Sequence, residues 1–299
     1  MKPIKHISIE KDKTISQLVR DMGEIGFQAR KISEAGKIYS EMINDKECKV
    51  FLGIAGALVP GGMKHIILQM LDNSDVFVAT GANLTHDLIE ALGEQHYQGD
   101  EKADDSELNK QGIDRIYDVF MKNSVYPKLE KFFEDNWTEL ENCKTIKELL
   151  WKIGSLVNSK DSILNKCWEK KIPIFCPALA DSGIGLMIWG RKMAGKKIEV
   201  DAFEDMKEII DIAWTAKKTA VFYVGGGVPK NFIQQSMQFA KKGGASYGIQ
   251  VTTDRPEYGG SSGAELKEGI SWGKMSEKAR FVNVFCDATI ALPLILAGI

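Results

Sequence analysis

The feature that most constrains the fold is a series of short, continuous apolar runs separated by longer segments with helical periodicity. The runs are Lys49–Leu52, Asp75–Thr80, Ile172–Cys176, Thr219–Val224, Tyr247–Thr252 and Arg280–Phe285. Because they do not alternate polar and apolar residues, they are typical of strands buried on both faces. Helical patterns such as Met63–Leu71 and Leu84–Leu92 lie between them. We therefore predict an α/β fold with a doubly wound, mainly parallel sheet and helices on both faces.

Two segments depart from the alternation. Residues from about 103 to 170 are charged, helical in period and poor in strand signals, which predicts a helical insertion. The segment Thr14–Ile43 is helical and amphipathic, and we expect it to cover one edge of the sheet. Neither a low-complexity tract nor an internal repeat is present, so residues 1–299 are interpreted as a single domain.

Composition excludes several classes of protein. A net charge of −2 with 44% apolar residues argues against a disordered chain and against nucleic-acid binding. The longest apolar run, Ala288–Ile299, is shorter than the roughly 20 residues of a membrane span, and the N-terminus lacks an apolar signal core. Five cysteines without a C-x-x-C pair indicate reduced thiols in a cytoplasmic protein. The four histidines show no metal-ligand spacing, so no metal site is predicted.

Small residues follow almost every predicted strand. The sequences are GIAGA after Leu52, TGAN after Ala79, PALADSGIG after Cys176, GGGVPKN after Val224, TTDRPEYGGSSG after Val251 and CDAT after Phe285. Ligands of parallel sheets bind outside the carboxyl ends of the strands, where small residues let backbone amides approach a phosphate or ribose. The series favours a nucleotide or dinucleotide cleft. The G-x-G-x-x-G, Walker A and G-x-S-x-G fingerprints are all absent.

The segment Glu257–Lys274, EYGGSSGAELKEGISWGK, combines groups that carry chemistry. It has glycines and serines for close approach, the carboxylates of Glu265 and Glu268, the indole of Trp272 and the amine of Lys274. Burial beside an aromatic ring favours the neutral amine that Schiff-base chemistry requires. These residues alone also fit a surface lysine after a turn, so both interpretations stay open at this point.

An ordered set of motifs resembles the deoxyhypusine synthase family over nearly the whole chain. The motifs are GFQA at Gly26–Ala29, FLG at Phe51–Gly53, TGANLTHDLIEAL from Thr80, CPALADSGIG at Cys176–Gly185, GGGVPKN at Gly225–Asn231, SSGAELKEGISWGK ending at Lys274, and DAT at Asp287–Thr289. The P-K-N-F sequence, in place of P-K-H-H, is most similar to the divergent archaeal and bacterial branch of the family.

The resemblance implies a Rossmann-like, NAD-binding topology and an NAD-dependent aminobutyltransferase of hypusine biosynthesis. In the family, NAD oxidises the polyamine spermidine to an imine, and a lysine captures the aminobutyl group. The group then passes to a lysine of translation initiation factor 5A, and NADH reduces the product. The matching catalytic lysine here is Lys274. A homotetramer is also implied.

The resemblance further assigns binding residues. Cofactor contacts would fall on Thr80, Gly81, Ala82, Asp181, Gly225, Gly226, Thr252, Ser262 and Asp287. Substrate contacts would fall on Trp272, Glu268, His86, Asn231 and Asp181. The two sets share Asp181.

Several positions depart from the eukaryotic-type enzymes. His86 and Leu186 stand where those enzymes have acids, Asn231 where they have a histidine, and Gly259 and Ser261 replace two aspartates. Because a buried polyamine needs counter-charges, either acids at other positions, such as Asp254 or Glu257, supply them, or the amine substrate or acceptor differs. Three hypotheses follow: a deoxyhypusine synthase, a homospermidine synthase-like enzyme that transfers to a free amine, or a non-catalytic homologue that binds NAD or polyamine.

Overall fold

A computed structural model describes residues 1–298, which form two compact units. The first contains residues 1–55, 73–78 and 206–298, and the second contains residues 56–72 and 79–205. The strands are β1 Cys48–Ile54, β2 Val76–Ala79, β3 His96–Gln98, β4 Ile113–Ile116, β5 Val119–Lys122, β6 Ile174–Phe175, β7 Lys218–Val224, β8 Ala245–Thr252 and β9 Met275–Phe285. The helices are α1 Ile15–Met22, α2 Phe27–Asn44, α3 Lys64–Leu71, α4 Gly81–Ala91, α5 Asp105–Lys110, α6 Val125–Asp135, α7 Trp137–Leu140, α8 Ile146–Leu156, α9 Ile163–Glu169, α10 Gly183–Met193, α11 Ala202–Thr215, α12 Gly227–Met237 and α13 Ala288–Ala297.

The sheet of the first unit has its strands in the order β2-β1-β7-β8-β9. The pairs β1–β7, β7–β8 and β8–β9 are parallel, with Leu52 opposite Phe222 and Phe222 opposite Ile249. From the two central strands, β1 and β7, the chain winds outward to β2 on one side and to β8 and β9 on the other. This order confirms the predicted doubly wound α/β class.

Helices cover both faces of this sheet. Successive side chains of a strand point to opposite faces, so Phe222 and Tyr223 of β7 mark the two sides. Tyr39 of α2 packs edge-on against Phe222, with ring centroids 5.5 Å apart. On the other side, Ile233 of α12 and Tyr223 both approach Gly53 of β1. The predicted helices on both faces are therefore present.

The N-terminal segment is helical, as predicted, but it differs from its prediction in its position. It forms two helices, α1 and α2, and the break between them ends at Phe27, whose φ is +60°. Helix α2 packs against β1, β8 and β9, which places it on a face of the sheet rather than along one edge. The apolar stripe of α2, which includes Ile38 and Met42, is fully buried there.

The second unit corrects the expectation that residues 103–170 lack strands. Strands β4 and β5 form a hairpin within this stretch, and β3 joins them in an antiparallel sheet of order β3-β5-β4. Ile116 pairs with Val119 across a turn in which Tyr117 has a φ of +56°. Strands of four residues are too short for apolar alternation to distinguish them from helix. The rest of the stretch contains helices α5 to α9.

The C-terminal apolar run forms α13, in which Ala291, Leu292 and Ile295 are fully buried. Of the helices in residues 1–298, none combines the length and the apolarity required to cross a bilayer.

Candidate functional site

The carboxyl ends of three adjacent parallel strands of the first unit carry the polar and small residues noted in the sequence. Gly225 follows β7, Thr252 ends β8, and Asp287 lies two residues beyond β9. The sheet changes its winding direction between β1 and β7, where Ala55 N donates to Val224 O at 2.9 Å. A crevice at such a switch point is the usual ligand site of a doubly wound sheet.

The glycine turn, Gly225–Gly227, connects β7 to α12. Gly225 and Gly227 have positive φ values of +69° and +54°, a conformation that favours glycine. Within residues 1–298, the backbone N–H groups of Gly226, Gly227 and Val228 donate to no acceptor. Free amides at the N-terminus of an 11-residue helix can hold a phosphate group.

The central glycine of this turn is required for a different reason. A Cβ on Gly226 would lie 2.2 Å from the Cα of Ser262, and the obstacle is backbone. We therefore expect Gly226→Ala to lower the free energy of unfolding by about 1–3 kcal/mol, because the segment around Ser262 must move. Urea denaturation measures the change. Gly190→Ala is the control, since nothing lies within 4 Å of its Cβ position, and equal stability of the two variants would contradict the prediction.

A cavity of about 380 Å³ lies beside the glycine turn within the first unit. Its walls are α12, the loop Gly259–Ala264, which we call the Gly/Ser loop, and the 3₁₀ turn Leu266–Ile270. The structure brings four of the predicted site residues together on its lining: Lys274, Trp272, Glu268 and Asn231. Their roles stay predictions, but they share one cavity although Asn231 is more than 35 residues from the others.

The backbone of Lys274 is held by hydrogen bonds, whereas its side-chain amine is not. Its N–H donates to Gly269 O at 2.8 Å, and its carbonyl accepts from Ala245 N at 3.0 Å. Its Nζ lies 5.0 Å from the centroid of the Trp272 ring, within the range of a cation–π contact. In residues 1–298 this amine has no hydrogen-bond or ion-pair partner. The side chain is half-buried, so the amine can reach a reacting group.

A second lysine of the cavity was missed in the sequence. Lys230 of α12 is only 5% exposed, and its Nζ donates to Gln250 Oε1 at 3.0 Å, Ser261 O at 2.8 Å and Ala264 O at 2.5 Å. Burial lowers the pKa of Lys230 to about 8; the Glu268 carboxylate opposes this shift and the Lys274 charge adds to it. The sequence suggested a desolvated amine at Lys274, and the structure has a desolvated amine at Lys230. The only signal was a lysine on the otherwise buried face of α12.

The predicted cofactor residues of the first unit lie at the strand ends. Besides Gly225 and Gly226 they are Thr252, Ser262 and Asp287. Thr252 Oγ1 accepts from Asp254 N at 3.1 Å, and Ser262 Oγ donates to the Asp254 carboxylate. That hydrogen bond lowers the pKa of Asp254. Asp287 Oδ1 accepts from Thr289 N at 2.7 Å and caps α13.

The remaining predicted residues form a separate group in the second unit. Thr80, Gly81 and Ala82 begin α4, and Asp181 precedes Ser182, the N-cap of α10. A Cβ on Gly81 would lie 2.5 Å from Ser182 Cβ, so these two helix starts touch. Thr80 Oγ1 accepts from Asn83 Nδ2 at 3.3 Å, whereas Ala82 and Asp181 are exposed.

His86 lies one turn further along α4 and ends a chain of hydrogen bonds. Its Nδ1 is 2.9 Å from His96 Nε2, His96 Nδ1 is 2.7 Å from Glu90 Oε1, and Glu90 Oε2 is 2.6 Å from Lys64 Nζ. Burial lowers the pKa of His86 to about 4, the charge of His96 adds to this effect, and Glu90 opposes it. The imidazole of His86 is therefore neutral at pH 7. The role of His96 was not evident because it lies on a different element, β3.

Comparisons with known proteins agree on one family. The family model for deoxyhypusine synthase matches residues 17–299. "Probable deoxyhypusine synthase 1" of Methanosarcina acetivorans is 43% identical over 300 residues, which cover 99% of this chain and 94% of the relative. "Deoxyhypusine synthase-like protein" of Chlorobaculum parvum is 36% identical and covers 98% of this chain and 88% of its own.

One solved structure supports the fold. It is the crystal structure of a proposed deoxyhypusine synthase from Entamoeba histolytica, with a TM-score of 0.68 and 19% sequence identity. The match covers 99% of this chain and 96% of that one.

Proposed function

This chain belongs to the deoxyhypusine synthase family, and we propose that it is an NAD-dependent transferase that oxidises a polyamine, with spermidine the expected donor. The aminobutyl group passes through an imine on Lys274 to a lysine of translation initiation factor 5A. The observation that carries the proposal is the cavity in which the Lys274 amine lies over Trp272 without a partner, while the amine of Lys230 is fully hydrogen-bonded.

The residues of the first unit fit NAD. The free amides of the glycine turn suit the pyrophosphate, and the exposed carboxylate of Asp287, which uses one oxygen in capping α13, has its other oxygen for a ribose hydroxyl. When bound, NAD supplies the hydride acceptor for amine oxidation and, once reduced, the hydride donor for the product. Thr80, Gly81, Ala82, Asp181, Thr252 and Ser262 are further proposed contacts.

Lys274 does the covalent chemistry in this proposal. Its neutral Nζ attacks the carbon of the oxidised donor, the carbon–nitrogen bond to the rest of the polyamine breaks, and the departing amine takes the proton that Nζ loses. The product is an imine between Lys274 and the aminobutyl group. The amine of the acceptor lysine then displaces Lys274 from the imine carbon by the same exchange. Trp272 offers a ring face to the alkylammonium, and Glu268 offers a counter-charge.

Charge in the cavity favours keeping a second candidate. Its lining contains two lysines, Lys230 and Lys274, and two glutamates, Glu265 and Glu268, so their formal charges cancel. A long polycation gains little from such a site, whereas a diamine carries less charge and needs fewer counter-charges. Transfer to a free amine, as in a homospermidine synthase, is the alternative, with His86 and Asn231 as substrate contacts in either case.

Two further properties belong to this proposal. A homotetramer is implied by the family resemblance, and the 62% exposure of Trp272 in the single chain is in line with a partner surface over it. The cytoplasm is the proposed compartment, because all five cysteines are free thiols.

The test is to mix the protein and NAD with a panel of amines, with and without factor 5A, and to follow NADH absorbance and product masses. We expect aminobutyl transfer to the factor. Turnover of free amines only would favour the homospermidine-type enzyme. If no amine gives NADH or a product while NAD still binds, a non-catalytic homologue would be favoured.

A further inference from the structure

The buried ammonium of Lys230 is bonded to two different parts of the first unit. It reaches the side chain of Gln250 on β8 and two carbonyls of the Gly/Ser loop, those of Ser261 and Ala264. An ammonium has three protons, and each has an acceptor here. Lys230 therefore ties the loop to the sheet and leaves no proton for a ligand.

Gln250 extends this connection to the glycine turn. The side chain is 1% exposed, and its Nε2 donates to Gly225 O at 3.1 Å and to Ser262 O at 2.8 Å. Its Oε1 accepts from Lys230. Both donors and the acceptor of the amide are used, so Lys230 and Gln250 form a buried, fully satisfied network. Such networks specify one arrangement, because breaking one bond leaves a polar group buried without a partner.

We propose that Lys230, acting through Gln250, is a positioning residue that holds the Gly/Ser loop against the glycine turn. In this way it brings together the residues proposed to bind the dinucleotide and forms one wall of the Lys274 cavity. This inference rests on the proposed function, since it assigns Gly225, Gly226 and Ser262 to cofactor binding. The close approach of Gly226 to Ser262 Cα supports it, because the two segments touch where the network joins them.

The network also distinguishes the two lysines of the cavity. For Lys230 to act as a nucleophile, its amine would have to lose a proton, which leaves one of its three acceptors buried without a donor. Lys274 has no such bonds to break. Lys230 therefore holds the loop, and the covalent adduct forms at Lys274.

The protonation state of Lys230 controls how firmly it holds the Gly/Ser loop, which we call its anchoring role. The charged groups around it are Glu268 of the 3₁₀ turn and Lys274, and Glu265 lines the same cavity. Because burial lowers the pKa of Lys230 to about 8, raising the pH from 7 to 9 removes one of its three donors and should loosen the loop. Its folded pKa lies below the unfolded value, so in the same range this group by itself favours folding. Loss of loop protection between pH 7 and pH 9 would therefore result from the lost hydrogen bond of Lys230 and not from a general loss of stability.

The experiment compares the full-length chain with Lys230→Met, and uses Lys241→Met as the control because Lys241 is an exposed lysine of the same unit. Titration calorimetry measures the Kd for NAD, and hydrogen exchange measures protection of residues 259–264. We expect Lys230→Met to weaken NAD binding roughly tenfold to a hundredfold and to lower loop protection, with no change in the control. Borohydride trapping with spermidine should still label Lys274.

Loss of NAD binding in Lys230→Met with loop protection intact would overturn the proposal, as would unchanged affinity and protection in that variant. An adduct trapped on Lys230 of the unmodified chain would also overturn it. If that variant does not fold, Lys230→Gln, which keeps a shorter donor, and the pH series on the unmodified chain provide the test. Loop protection that stays constant from pH 7 to 10, corrected for intrinsic exchange, would contradict the anchoring role. If the unmodified chain does not bind NAD, the proposed function fails, whereas loss of loop protection in Lys230→Met still supports the anchoring role.

Discussion

Lys274→Arg is expected to abolish trapping of an aminobutyl adduct by borohydride and to lower transfer activity by about three orders of magnitude or more. The guanidinium stays protonated and cannot form an imine, although it keeps a cation near the Trp272 ring. Because the residues proposed to bind the cofactor lie on other segments, NAD affinity should stay within about twofold of the unmodified chain. Mass spectrometry of the trapped protein and calorimetric titration with NAD measure the two quantities.

Lys278→Arg is the matched control, since Lys278 is an exposed lysine of β9. It should keep both trapping and transfer. An adduct that persists in Lys274→Arg would remove Lys274 from the mechanism, and peptide mapping would identify the lysine that replaces it. A parallel loss of NAD binding would mean that the substitution disturbs the site as a whole, and the assignment would then lack support.

Asp87→Ala is expected to produce the largest loss of stability, about 3–5 kcal/mol in the free energy of unfolding. Asp87 of α4 is fully buried and accepts from Ser162 Oγ at 2.8 Å, Ile163 N at 2.8 Å and Leu164 N at 3.0 Å. Removing the carboxylate leaves these three donors at the start of α9 buried without an acceptor. Urea denaturation at pH 7 measures the difference. The neighbouring exposed Asp161→Ala is the control and should stay within about 0.5 kcal/mol of the unmodified chain.

The same residue gives a pH dependence with a defined sign. Burial raises the pKa of Asp87 to about 6, and the three hydrogen bonds oppose this effect. The pKa of Asp87 in the folded chain therefore lies above its value in the unfolded chain. The contribution of this protonation to the free energy of unfolding is fully present below about pH 4 and is lost as the pH rises through 6. The stability of the unmodified chain relative to Asp87→Asn should therefore fall between pH 4 and pH 7. A rise over that range would show that the hydrogen bonds outweigh burial.

The pattern of apolar runs was sufficient to predict the parallel sheet of the first unit. Buried strands such as β7 and β8 consist of continuous apolar residues, and the requirement to cover both faces with helices follows from that pattern alone. The hairpin of β4 and β5 could not be predicted, because strands of four residues are stabilised by pairing across a turn rather than by a pattern of their own. The position of α2 on a face rather than an edge likewise depends on packing, such as that of Tyr39 against Phe222.

By itself, the sequence determined the α/β class, the chemistry-bearing segment that ends in Trp272 and Lys274, and the family to which the chain belongs. These properties depend on local composition and on the order of short motifs, which a linear pattern records. Only the tertiary structure decided that the buried lysine is Lys230, that Gln250 links the glycine turn to the Gly/Ser loop, and that His86 is supported by His96 and Glu90. The reason is physical: burial and hydrogen bonding are properties of groups that the fold brings together from distant parts of the chain, and the spacing of residues along the chain does not contain them.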